Sequence, residues 1–155
     1  MGGLMKPEVI GRGVAAGFVA TVVLSAMMLM KQSMGLIPEL DPITMIAAMA
    51  GASSPAVGWI GHFVIGSIIW GISFAVVNPH LPGPYWLRGA IFAAGAWLMM
   101  MIVVMPMIGT GLFGFGLGIM APGVTFLLHV VFGLVLGGVY GFFADKQGSI
   151  AGYPR

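Results

Sequence analysis

Apolar residues in this chain come in four long, continuous runs, at about residues 11–30, 57–77, 85–108 and 122–143. Each run is about 20 residues long, the length a helix needs to cross the hydrocarbon layer of a bilayer. A helix is the only open-ended structure that satisfies its own backbone hydrogen bonds in lipid. The pattern therefore predicts an all-α membrane protein, one domain over residues 1–155, with four transmembrane helices in an up-down bundle.

Polar and helix-stopping residues mark the ends of the runs. Lys31 closes the first, and Asn78-Pro79-His80-Leu81-Pro82-Gly83-Pro84 closes the second. Pro106 lies near the far end of the third, and Asp145-Lys146 closes the fourth. Within the first connection, Asp41 suits an N-cap, Pro42 the first helical position and Gly51 the C-terminal stop. A short apolar helix is expected there, at the interface or tucked against the bundle. The connection at 109–123, GTGLFGFGLGIMAPG, carries no charge. It is expected to fold back onto the bundle or dip into the membrane. The N-terminal run resembles a signal peptide, but it has spanning length and no clear small-x-small cleavage site, so it is read as an uncleaved span.

Composition strengthens this reading. Of the 155 residues 59% are hydrophobic and 6% charged, against about 25% charged in a soluble domain. Too few polar groups are present to cover a water-facing surface. Without cysteine, disulfides and thiolate metal sites are excluded. The net charge of +2 is too small and dispersed for a nucleic-acid surface.

The distribution of that charge suggests an orientation. Lys6, Arg12, Arg88, Lys146 and Arg155 fall on one side, whereas the other holds Lys31 beside Glu39 and Asp41. The positive-inside rule then puts both termini in the cytoplasm. The expected location is a bacterial inner (cytoplasmic) membrane, crossed four times.

The two halves echo each other. Arg12-Gly13 and Arg88-Gly89 are offset by 76 (88 − 12), and the motifs His62-x-x-x-Gly66 and His129-x-x-x-Gly133 by 67 (129 − 62). A duplicated helical hairpin is expected, its axis along the membrane normal. His62 and His129 would then sit at matched depth in the outer half and face each other.

Several stretches resemble a bacterial family of small four-helix integral membrane proteins known as a domain of unknown function. They are GFVATVVLSAMMLMK, GLIPELDPITMIAAMAG, VGWIGHFVIGSIIWG, WLRGAIFAAGAWLMMMIVVMPM and LHVVFGLVLGGVYG, which together cover most of the chain. The resemblance implies the fold. It brings no activity, cofactor or site residue with it.

An ionisable residue inside a span is costly and marks a candidate site. Two opposed imidazoles could ligate a haem b iron, with Gly66 and Gly133 leaving room for the macrocycle edge and Gly137 and Gly141 continuing the groove. That would make the protein a redox or anchor subunit of a larger membrane complex. Small residues four apart also pack membrane helices together. The competing reading is a cofactor-free accessory or scaffold subunit, associating with a partner or with itself as a homo-oligomer. A third reading is copper, because thioether and imidazole select Cu(I). Met27, Met28, Met30, Met34, Met45, Met49, Met99, Met100, Met101, Met105, Met107 and Met120 lie toward the side that holds the histidines, although methionine also fills apolar cores.

The remaining groups suggest anchoring. Trp59, Tyr85 and Trp86 lie near span ends, as interface aromatics do, and Arg12 and Arg88 are placed to snorkel to headgroups. His80 reads as a solvated loop residue. No Ser/His/Asp set, paired carboxylates or zinc motif is present, so no enzyme activity is indicated. No span interior holds Asp or Glu, which argues against ion pumping by a lone protomer.

Overall fold

The structure is a computed structural model that describes residues 6–150. Tyr153 and Arg155 lie outside the described residues. The chain forms α1 (Pro7–Ser33), α2 (Pro42–Met49), α3 (Pro55–His80), α4 (Tyr85–Met107) and α5 (Ala121–Ile150). All except α2 are long and apolar enough to cross a membrane. The protein is thus an all-α, four-helix, multi-pass membrane protein whose apolar faces suit lipid contact.

Proline opens α1, α2 and α3 at the first turn, where its missing N–H costs nothing. Asp41 caps α2 as expected, accepting from the amides of Ile43 (3.0 Å) and Thr44 (3.3 Å) and from the Thr44 hydroxyl (2.7 Å). Gly51, just past the helix end, has φ +70, a conformation that glycine adopts without strain. Ile43 and Ala47 of α2 are buried, and Gly58 and Gly61 let the helix lie against the start of α3. Of the two expected placements, the short helix takes the tucked one.

In the bundle α1 packs against α3 and α5, and α4 packs against α5. The gap between α3 and α4 is filled by rings: Phe92 meets Trp70 at 5.7 Å and Phe74 at 5.5 Å. Phe74 also meets Tyr140 of α5 at 5.4 Å. Around these rings Ala16, Ala20, Ala75, Ala93, Phe132 and Leu136 form the core nearer the chain termini. A second core at the other end holds Leu40, Met101 and Met105, capped by Phe113 and Leu117 of the last connection.

Glycine lines the helix contact in both hairpins. Gly13 lies against Gly71, and Gly17 against Gly66; in the second hairpin Gly89 lies against Gly133 and Gly137, and Gly133 also against Ala93. α3 carries a π-helical segment, Val64–Trp70, and α4 one at Met100–Val104, whereas α5 is regular.

Candidate functional site

A buried polar seam runs between α1 and α3. The Thr21 hydroxyl donates to the Gly17 carbonyl and the Ser25 hydroxyl to the Thr21 carbonyl, each at 2.7 Å. Such bonds four residues back satisfy a hydroxyl that would otherwise be stranded in an apolar helix. Ser25 Oγ also lies 3.1 Å from His62 Nε2. Its single proton is already engaged by Thr21, so the hydrogen-bond pattern assigns the imidazole proton to Nε2, donating to Ser25. Only Nδ1 of His62 is left as an acceptor. The ring is 7% exposed, with Trp59 and Phe63 edge-on at 5.9 and 5.8 Å.

His129 is held differently. Its Nδ1 lies 2.8 Å from the Thr125 carbonyl, which can only accept, so the proton is on Nδ1 and Nε2 is free. Thr125 bridges the hairpin, accepting from Trp97 Nε1 at 3.1 Å while donating to the Ala121 carbonyl at 2.7 Å. Each hairpin is therefore clipped by a side-chain polar contact: His62 to Ser25, buried, in the first, and Trp97 to Thr125, half-buried, in the second. Ser25 and Thr125 carried no signal in the sequence beyond being hydroxyl residues inside apolar runs. The two histidines are held differently: His62 bonds across to α1, whereas His129 bonds within its own helix, and their protons lie on different nitrogens.

The glycines beside the histidines are covered. A side chain at Gly66 would collide with the Thr21 hydroxyl, and one at Gly133 with the Gly89 carbonyl and the Ala93 methyl. Gly137 and Gly141 lie against Tyr85. The glycine face of α5 is thus the seat of α4, and the space beside His62 is the seat of α1. Close approach of this kind maximises dispersion contact between helices that gain little from burying apolar surface in lipid.

The methionines divide between core and surface. Met28, Met101 and Met105 are buried, whereas Met30, Met34, Met49, Met99, Met107 and Met120 are exposed. Met105 Sδ accepts the Thr110 hydroxyl at 3.3 Å, and Met101 and Met105 otherwise pack in an apolar cluster. Among the described residues no three His, Cys, Asp or Glu side chains converge as a metal site.

Two charged residues have structural partners that the sequence did not reveal. Lys31 is buried, and its ammonium donates to the carbonyls of Leu36, Ile37 and Leu40 at 2.8–2.9 Å. Its three protons hold the connection after α1, including Ile37 at φ +49, where a β-branched residue is strained. Arg88 donates to the Gly83 carbonyl at 2.6 Å and to Asn78 Oδ1 at 3.3 Å, over the Tyr85 ring. It ties the α3–α4 connection together. Asp41 feels burial, which pushes its carboxyl up; the Thr44 hydroxyl, the Thr44 and Ile43 amides and the Lys31 charge outweigh it and hold the group below its usual value.

No curated protein and no solved structure matches the chain. A model for a family of unknown function, DUF6789, matches residues 7–150, and the chain belongs to that family.

Proposed function

We propose that this protein is a cofactor-free accessory or scaffold subunit of the membrane, acting through a rigid pair of glycine-packed hairpins. The observation that carries the reading is the covering of Gly66 by Thr21 and of Gly133 by Gly89 and Ala93. The positions that would have to open for a macrocycle are instead the closest helix contacts of the two hairpins. The nitrogens left without a partner are His62 Nδ1 and His129 Nε2, one on each ring, so the covering of the glycines carries the reading.

The haem b reading remains distinct and testable. It requires α1 to withdraw from Gly66 and α4 from Gly133, so that His62 Nδ1 and His129 Nε2 can reach one iron. Copper would require the buried thioethers of Met101 and Met105 to turn away from Trp97 and Phe113.

The two readings separate by stability. Protein produced in haem-deficient cells and purified with a copper and iron chelator should unfold at the same temperature as protein produced with both supplied. A cofactor that binds the folded state raises the unfolding temperature by mass action, so a clear rise on supply of haem or copper would overturn the cofactor-free reading.

A further inference from the structure

Between Arg88 and Asp145 the sequence contains no Asp, Glu, Lys or Arg. The α4–α5 connection lies inside that uncharged stretch. Four glycines with positive φ, Gly109, Gly111, Gly114 and Gly118, fold it back on itself around a short 3-10 turn, Leu112–Leu117. Phe113 and Leu117 turn inward onto the Met101–Met105 core, with Phe113 meeting the Trp97 ring at 5.9 Å. Leu112, Phe115, Ile119 and Met120 turn outward, and Ile119 is 86% exposed.

Part of the backbone of this segment is bonded internally. The amides of Gly109, Thr110, Gly114, Gly116, Gly118 and Ala121 donate to carbonyls within residues 105–118 at 2.9–3.1 Å. The Thr110 hydroxyl donates to the Met105 carbonyl at 2.9 Å. Each such bond lowers the cost of placing that amide against hydrocarbon.

We infer that residues 109–120 form a membrane-seated cap, with Leu112, Phe115, Ile119 and Met120 immersed in the acyl chains of the leaflet at that end. Span length agrees. The 23 residues of α4 extend about 34 Å at 1.5 Å per residue, against about 30 Å of hydrocarbon, so Met107 reaches the boundary and the connection begins there. Chemistry favours lipid over a protein partner. Protein interfaces carry a polar rim, and the polar side chain of this segment, Thr110, is bonded inward. The outward residues also adjoin, along the chain, exposed Ile102, Val103 and Met107 of α4 and Phe126 and Leu127 of α5. The α1–α3 connection at the same end is mixed, exposing Glu39, Ser53 and Ser54 together with Met34, Leu36 and Met49. The α4–α5 connection differs in exposing no charged side chain. The inference does not depend on whether a cofactor binds.

The absence of cysteine makes the test clean. Full-length Phe115→Cys and Ile119→Cys variants would carry a nitroxide label in phosphatidylcholine–phosphatidylglycerol vesicles. Glu39→Cys serves as the water-exposed control and Leu127→Cys as the lipid-facing control. All four positions are exposed, so the label displaces no core residue. The labels at 115 and 119 should collide with oxygen and be shielded from a water-soluble nickel chelate, as at 127 and opposite to 39. Nickel access at 115 and 119 equal to that at 39 would overturn the inference. Shielding from both reagents would overturn it in favour of a protein partner or a second copy of this chain.

Discussion

Ser25 and His62 join α1 to α3 through one buried contact, 3.1 Å from Oγ to Nε2, and it sits one helical turn from the Thr21–Gly66 approach. Ser25→Ala would leave the imidazole N–H without a partner inside a span. The expected loss is about 1–2 kcal/mol, with a coupling near 0.6 kcal/mol in a double-mutant cycle with His62→Leu, as for polar pairs between membrane helices. Reversible unfolding in mixed micelles measures both. A Ser25→Ala variant as stable as the parent would show that the seam does not clamp the hairpin.

The glycine contacts predict opposite outcomes at two positions of one helix. Gly89→Ala drives a methyl into the backbone of α5 at Gly133 and Gly137, and should cost about 1–3 kcal/mol, as overpacking does. Gly95, six residues on, has nothing within 4 Å of its would-be Cβ. Gly95→Ala should be neutral or stabilising by up to about 1 kcal/mol, through helix propensity. Equal effects at the two positions, read by thermal unfolding in detergent, would contradict the observed register.

Lys31→Met keeps the length and the aliphatic stem but removes all three bonds to the carbonyls of Leu36, Ile37 and Leu40. Hydrogen bonds from a charged donor contribute about 1.5–3 kcal/mol each, and a loss in that range or above is expected. Residues 34–41 should become the first site of limited proteolysis. Unchanged cleavage would mean that the buried ammonium does not hold the connection.

The Asp41 cap is expected to weaken in acid. Its carboxyl titrates below the ordinary value in the folded protein, so its contribution is complete above about pH 4, the unfolded value, and is lost as pH falls through the folded one. Amide exchange at Ile43 and Thr44 should accelerate over that window once the intrinsic pH dependence of exchange is removed. Asp41→Ala should remove this pH response and cost about 0.5–2 kcal/mol at neutral pH.

The spans were legible because a bilayer imposes a length and a composition that few soluble segments share. The short helix α2 was legible through Asp41, Pro42 and Gly51, whose local backbone roles do not depend on the rest of the fold. The partner of each polar residue was not. Ser25 is one hydroxyl in an apolar run, and its pairing with His62 depends on how α1 rotates against α3. Lys31 read as a charge beside Glu39 and Asp41, whereas its partners are backbone carbonyls, which every residue carries and none advertises. The π-helical segment Val64–Trp70 in α3 stayed hidden because it lies inside an apolar run and breaks no polarity pattern.

The most direct test of the cofactor-free account is a reduced-minus-oxidised absorption spectrum of the purified protein, with iron and copper quantified on the same sample. The account predicts a featureless visible region and substoichiometric metal. A Soret band with sharp reduced α and β bands, lost in both His62→Ala and His129→Ala, would contradict it and establish the two histidines as haem ligands.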